Sequence, residues 1–426
     1  MQTASKKVIN GWAMYDWANS VYNLVITSTI FPAYYEAVTK VKGDDTVIFL
    51  GRKFVNTALY NYAIATAILI VAILIPVLSS IADYKGNKKN FMRFFCTIGS
   101  IACSCLFFFT GKDSMGIGIT CIVIACIGFW SSLVFYNSYL PEIASEEDSD
   151  MVSAKGFTLG YIGSVLLQII CLVLVFTMKD GGMAARLSFV LVGLWWIGWA
   201  QIPFKRLPKG EPSAHRPDKS IFANGFIELK KVWAQVKSMP VLKRFLSAFF
   251  FYNMGVQTVM LAAALFGAKE LNLPTDQLII TILIIQLVAI VGAYLMANLA
   301  KKFGNLQVLA FVVVIWILIC VAAYFTTTAT EFYLLGAAVG LVMGGIQSLS
   351  RSTYSKLMPE TKDTASFFSF YDVSEKIAIV IGMFTFGLLE ELTGSMRNSI
   401  LAIMAFFIVG LLLLLTTIAA KKRSAS

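Results

Sequence analysis

A chain of 426 residues with 58% hydrophobic and 14% charged side chains, at a mean hydropathy of +0.75, carries more apolar surface than a water-soluble domain of this length can hide. The formal net charge of +11 lies in short polar stretches between apolar runs, which makes it a topological signal and excludes a nucleic-acid partner. A soluble enzyme is excluded too: there is no Gly-x-x-x-x-Gly-Lys-Ser/Thr loop, and the single histidine, His215, stands in a hydrophilic linker, leaving neither a Ser/His/Asp set nor zinc ligands. No metal and no cofactor is expected.

Apolar stretches of about 20 residues recur roughly twelve times. They run approximately from Trp12 to Tyr34, Ala58 to Ile81, Phe91 to Phe109, Met115 to Leu140, Phe157 to Met178 and Ala184 to Pro203. After the linker they continue from Phe245 to Gly267, Leu278 to Leu299, Leu306 to Phe325, Phe332 to Tyr354, Phe367 to Leu389 and Ser399 to Ala420. Hydrocarbon offers no partner to free backbone groups and the runs lack polar alternation, so each is predicted to be a helix. The first span keeps Asp16 and Asn19 with no small-residue cleavage site behind it, and is read as a retained helix.

With both termini on one side, that side holds roughly 25 Lys and Arg against about 9 opposite, with Lys376 left inside a span. Both termini are therefore expected in the cytoplasm, in a multi-pass protein of the cytoplasmic (inner) membrane. The seven cysteines fall in spans without Cys-x-x-Cys spacing and read as small packing residues.

The interval from Phe204 to about Arg244 divides the spans six and six, which gives a bundle over 1–203, a linker over 204–244 and a bundle over 245–426. Within the linker, Phe222, Phe226, Leu229, Val232, Trp233 and Val236 recur at helical spacing beside Lys230, Lys231 and Lys237. That pattern suits a helix on the inner leaflet, or simply a solvated tie between the halves. An internal repeat supports the division. Tyr139-Leu140-Pro141-Glu142 closes the fourth span and Lys356-Leu357-Met358-Pro359-Glu360 the tenth. Asp83-Tyr84-Lys85-Gly86-Asn87-Lys88-Lys89 follows the second span and Lys301-Lys302-Phe303-Gly304-Asn305 the eighth.

The Asp83 loop resembles the signature loop of the major facilitator superfamily, with Ser79 where the family has its leading glycine and Lys301 where the second copy would carry the acid. The narrower resemblance rests on Tyr15-Asp16-Trp17-Ala18-Asn19-Ser20, on Tyr136-Asn137-Ser138-Tyr139-Leu140-Pro141-Glu142, on Ser350-Arg351-Ser352, and on Phe367-Phe368-Ser369-Phe370-Tyr371 followed by Lys376. Over essentially the whole chain, these resemble the unknown-major-facilitator group, which is similar to the autophagy-related vacuolar amino-acid effluxers of fungi. The resemblance implies an all-α membrane protein of twelve transmembrane helices in two pseudo-symmetric six-helix bundles. It also implies a cytoplasmic latch at Asp83, Gly86 and Lys88, and a central cavity lined by spans one, four, seven and ten.

Ionisable groups inside hydrocarbon are functional candidates, because they are costly without a cavity or a partner. Asp16, with Asn19 and Asn23 at i+3 and i+7, forms a polar stripe that can bind an ammonium, a proton or sodium, or can fix helix packing as a buried knot. Asn137, Asn253, Gln257 and Gln347 occupy the other three cavity spans, and Tyr15 and Tyr22 lie near the stripe, while the remaining first-span aromatics read as lipid-facing or interfacial belts. Arg351 is a candidate gate against Glu142, a snorkelling cation or a carboxylate ligand. Lys376, one turn after Asp372, forms either a self-neutralising salt bridge or a coupling pair. Gly156, Gly160 and Gly163 in the fifth span, and Gly340, Gly344 and Gly345 in the tenth, read as packing and hinge positions.

The expected function is secondary active transport of a small polar solute, foremost an amino acid, by alternating access, coupled to protons through Asp16, Asp372 and Lys376 and with export preferred on resemblance. The chain is expected to act as a monomer in the bilayer. A lipid or lysolipid flippase and a non-transporting sensor or scaffold are the other classes.

Overall fold

The computed structural model describes residues 2–40, 44–210, 212 and 221–425, without the side chains of residues 221–226, 275, 276, 424 and 425. His215 and the side chains of Phe222 and Phe226 lie outside the described residues. The elements in chain order are α1 (Lys6–Val21), a π-helix (Tyr22–Thr29), α2 (Ile30–Thr39), β1 (Thr46–Phe49), β2 (Arg52–Val55), α3 (Asn56–Lys85), α4 (Lys88–Cys105) and α5 (Met115–Asn137). They continue with α6 (Leu140–Ile143), α7 (Ser149–Thr177), α8 (Gly181–Arg206), α9 (Ile221–Ser238), α10 (Pro240–Glu270), α11 (Thr275–Phe303), α12 (Asn305–Phe325), α13 (Ala329–Leu357), α14 (Thr364–Thr393) and α15 (Met396–Ala425).

Ten of these stretches are long and apolar enough to cross a bilayer by length and composition, among the described residues. The two other expected spans are the continuous helical run from Lys6 to Thr39, broken in register by the π-helix, and α14, whose 30 residues carry Asp372, Glu375 and Lys376. The protein thus has the expected twelve-helix all-α architecture.

The chain forms two compact units, one of Ser5–Ser138 with Leu159–Phe226, the other of Met1–Ala4 and Tyr139–Thr158 with Ile227–Ser426. In the first, α1 packs on α8, α3 on α5, and α4 on both α5 and α8. In the second, α10 packs on α15, α11 on α13, and α12 on both α13 and α15. Counted as spans, these are the same pairings (one with six, two with four, three with four and six) repeated six spans later, as the sequence repeat implies.

Small residues set the closest approaches. A methyl at Gly340 would lie 2.5 Å from the Ile285 carbonyl oxygen, and one at Gly336 2.9 Å from the Thr281 side chain, so a ridge on α13 brings backbone against α11. In the other unit Gly160 faces Ser20 and Gly163 faces the Trp17 carbonyl, which joins α7 to α1. Gly340→Ala is expected to lower stability by about 1–3 kcal/mol, because a backbone carbonyl cannot rotate away. Gly387, with nothing within 4 Å of its built methyl, is the matched control: Gly387→Ala should be neutral or stabilising by about 0.5–1 kcal/mol. Melting curves of the two variants in one detergent check both.

One expectation is corrected. The first-span aromatics read as a belt are not lipid-facing: Trp12, Phe31, Tyr34 and Tyr35 are buried, as are Tyr15 and Tyr22 near the stripe, and Trp17 is half-buried. Phe31, Tyr34 and Tyr35 pack with Phe109 and Phe189, because so many rings on one helix satisfy one another better than separate headgroups would. Part of the apolar face of α9 is covered. Val232 and Val236 are buried, and the Trp233 ring stacks at 5.8 Å on Phe370 of α14.

Between the first two spans, β1 and β2 form a hairpin whose turn, Leu50 and Gly51, has positive φ at both residues. Asp44 at its base lies 2.9 Å from the Lys112 ammonium. That bond first, and the Thr46 amide second, lower the carboxyl to about 2, so the group stays ionised throughout the neutral range.

Candidate functional site

In the N-terminal unit α1 buries Asp16 and Asn19 on one face, as their i, i+3 spacing dictates. The Tyr136 hydroxyl donates to Asp16 Oδ2 at 2.7 Å. Tyr136 is itself held by Trp12, whose indole N–H donates to the Tyr136 carbonyl at 2.9 Å and whose ring stacks on the phenol at 4.4 Å. The Tyr15 ring lies 5.1 Å from the same phenol. A buried carboxylate hydrogen-bonded to one phenol of a packed aromatic group can bind an ammonium, to which a nearby ring face adds attraction. The Asn19 amide NH2 has no partner among the described residues.

Asn23 stands apart from this pair. It is exposed, and it lies at the start of the π-helix. The cause of the wide turn is local. Pro32 has no N–H to offer the Ser28 carbonyl four residues back, and its ring crowds that carbonyl. The Ser28 and Thr29 hydroxyls instead bond five residues back, to the carbonyls of Asn23 at 2.9 Å and Leu24 at 2.7 Å. Gln168 of α7 approaches Thr29 Oγ1 at 2.9 Å and ties the wide turn to the fifth span.

In the C-terminal unit a second polar cluster joins α10 to α14. Lys376, 1% exposed, donates to Asp372 Oδ1 at 2.8 Å and reaches Glu375 Oε2 at 3.4 Å. Gln257 Nε2 donates to Glu375 Oε1 at 3.0 Å and lies 3.5 Å from Asn253 Oδ1. The pair expected to neutralise itself is therefore a group of three charges. Glu375 was missed by sequence reading, although its place three residues after one acid and one before the lysine signalled an unbalanced carboxylate. Gln347 is half-buried on α13, and Asn137 half-buried at the end of α5.

The gating candidates separate into two places. Around the Asp83 loop, Gly86 ends α3 in the left-handed region at φ 61°, with its N–H on the Ala82 and Asp83 carbonyls, and both Asp83 and Lys88 are buried. Lys89 donates to the Leu207 carbonyl at 2.7 Å, and Arg93 lies 5.3 Å from the Phe204 ring centre.

The second place is the segment 139–158, which clips onto the C-terminal helices of its own unit. Arg351, 3% exposed, donates from Nε to Ser153 Oγ at 3.0 Å and from Nη2 to the Ser153 carbonyl at 2.8 Å, with its guanidinium 4.2 Å from the centre of the Phe157 ring. Asp150 accepts from Lys356 at 2.6 Å and from Asn305 at 2.6 Å. Glu142 accepts from the Thr364 hydroxyl at 2.8 Å. Thr3 adds a clasp at the other edge, donating to Asp148 Oδ2 at 2.6 Å while the Ala4 N–H bonds the Ile143 carbonyl. Sequence reading singled out Glu142 and Arg351 but missed Asp150, Ser153 and Asn305, which looked like ordinary loop polarity. The second copy of the signature loop, though it lacks the acid, thus supplies Asn305 to the clip.

Twelve helices in two repeated units, each burying ionisable side chains inside its spans, define a transporter of the major facilitator superfamily. Solved structures agree on the fold. The E. coli fucose:proton symporter FucP matches at a TM-score of 0.70 with 12% identity, over 96% of this chain and 97% of that one. The proton:xylose symporter XylE matches at 0.72 with 12% identity, over 96% and 94%. The chain belongs to the family described as vacuole effluxer Atg22-like, whose profile matches residues 4–426. The uncharacterised MFS-type transporter YxiO of Bacillus subtilis (strain 168) is 32% identical over 412 residues, 95% of this chain and 93% of that protein. Autophagy-related protein 22 of Saccharomyces cerevisiae (strain ATCC 204508 / S288c) is 23% identical over 483 residues, 96% of this chain and 90% of the fungal protein.

Proposed function

We propose that the protein is a proton-coupled exporter of amino acids that works as a single chain in the cytoplasmic membrane, with both termini in the cytoplasm. The observation that carries the reading is Asp16, a buried carboxylate held by the hydroxyl of Tyr136, whose ring packs with Trp12 and Tyr15. Such a site suits an ammonium group, or a proton in its place. Asp372 and Lys376 supply the second titrating element. Asn137, Asn253, Gln257 and Gln347 are the neutral polar contacts a small zwitterion needs along its path. Export follows the effluxer description of the family. The segment clipped by Arg351, Asp150 and Glu142 is the inner gate in this reading, and the Asp83, Gly86 and Lys88 loop is a latch.

The test is melting of the purified protein against amino acids, peptides, sugars and organic phosphates at two pH values. A ligand at 100 times its Kd stabilises by about 2.7 kcal/mol through mass action alone. Amino acids are expected to raise the melting temperature in proportion to the logarithm of their concentration. Flat curves for every amino acid, with a response to lysolipid, would move lipid transport to the front.

A further inference from the structure

The cluster on α10 and α14 has a charge that its own residues do not close. Asp372 and Glu375 are two carboxylates, and Lys376 is the only cation paired with either of them among the described residues. With all three ionised the group carries one net negative charge. Two buried polar atoms beside it also have no partner among the described residues: Asp372 Oδ2 and Asn253 Nδ2, each in a side chain whose residue is 5% exposed. Asn253 belongs to the same chain of contacts, since its Oδ1 lies 3.5 Å from the Gln257 nitrogen that donates to Glu375. Of the other ionisable groups on the surrounding helices, Tyr371 lies within electrostatic reach of Glu375 but brings no cation, and each is also bonded or stacked outside the cluster. Tyr252 pairs with Ser350, Tyr354 donates to the Phe367 carbonyl, Tyr371 stacks on Phe249, Arg351 bonds Ser153, and Arg397 of α15 pairs with Glu270. An open acceptor and an unmatched negative charge inside a membrane helix pair ask for a positively charged occupant, and the open amide donor asks for an acceptor such as the carboxylate of an amino acid.

We propose that this cluster is an exchange site that holds either a proton or the side-chain cation of a basic amino acid, one at a time. The inference rests on the amino-acid reading above and names the substrate class within it. A neutral amino acid is a zwitterion with no net charge and leaves the cluster at minus one. Lysine, ornithine and arginine each bring one positive charge and close it, as a proton does. Because the two occupants use the same unmatched charge, binding one expels the other, and transport of a basic amino acid becomes exchange for a proton. No bond is made or broken beyond that proton's transfer between a carboxylate and water.

The experiment measures proton release and binding together, on purified full-length protein in weakly buffered detergent titrated with lysine, ornithine, arginine or leucine. The basic amino acids are expected to release a proton, approaching one per molecule bound, and leucine none. Glu375→Gln balances the cluster at one acid and one lysine and preserves the shape of the side chain. It should weaken lysine binding on the order of 10-fold or more, as loss of one member of a buried charge pair does, and abolish proton release. Asp372→Asn should do the same, so a folding defect in one variant leaves the other to decide. Leucine binding should be unchanged in Glu375→Gln. If leucine binds and lysine does not, or if Glu375→Gln leaves lysine affinity and proton release intact, the exchange site is overturned while the amino-acid reading stands. If no amino acid binds the folded wild-type protein, both fall.

Discussion

Asp16→Asn is expected to abolish proton-coupled amino-acid flux while leaving the fold intact. The carboxamide is isosteric with the carboxylate, and its oxygen still accepts from the Tyr136 hydroxyl that now lies 2.7 Å from Asp16 Oδ2. Only the charge is removed. Losing one partner of a desolvated charge pair costs a ligand about 3 kcal/mol, which is about 100-fold in affinity. Tyr136→Phe keeps the carboxylate and the aromatic face but removes one hydrogen bond to a charged group, so its effect should be smaller, about 1.5–3 kcal/mol. Radiolabelled flux in proteoliposomes, with melting temperatures alongside, separates binding from folding. Retention of flux within about threefold in a well-folded Asp16→Asn protein, below the effect of even one hydrogen bond to charge, would leave Asp16 as a packing knot.

Arg351→Ala should have the second-largest effect, and its site of action is the clip formed by residues 139–158. The guanidinium makes two bonds to Ser153 and covers Phe157, all away from solvent. Hydrogen bonds from a charged donor contribute about 1.5–3 kcal/mol each. Their joint removal should raise local opening of this segment by on the order of 100-fold. Arg351→Lys should not restore it, because an ammonium cannot span two acceptors in a plane and lie flat on a ring. Lys356→Ala is the graded comparison. Its side chain is 20% exposed and its partner Asp150 keeps the Asn305 bond, so the loss should be about 1 kcal/mol. Hydrogen exchange of the amides from 149 to 157 measures both, and unchanged protection in Arg351→Ala would remove this residue from the gate.

Most of the architecture could be read from residues because hydrocarbon permits so little else. Twenty apolar residues can be satisfied only as a helix, and the duplicated Pro-Glu endings mark a six-span unit used twice. Hydropathy located the first and eleventh spans as well, although the first is interrupted by the π-helix and the eleventh carries three charges from Asp372 to Lys376. The site was legible as isolated ionisable groups on single helices. It was not legible as clusters, since partners come from other helices: Tyr136 reaches Asp16 over 120 positions, and Gln257 reaches Glu375 over 118. Periodicity failed at Asn23 because it assumes one pitch throughout, and the back-bonding of Ser28 and Thr29 ahead of Pro32 changes the pitch. The clip was hidden for a different reason. Asp150, Ser153 and Asn305 are unremarkable loop and helix-end polar groups until distant segments meet.

The π-helix also makes the first span a length-sensitive part. A wide turn stores residues that an α-helix would need extra rise to place, so removing one residue between Tyr22 and Thr29 can shorten the turn without shortening the span enough to leave the bilayer. Removing a second residue, which no wide turn is left to absorb, would swing everything beyond it by about 100° relative to Asp16. The cluster of Phe31, Tyr34 and Tyr35 would then point away from Phe109 and Phe189. The eight residues from Tyr22 to Thr29 therefore act as a rotational spacer, whose residue count, more than whose side chains, sets how the two ends of the helix face their neighbours.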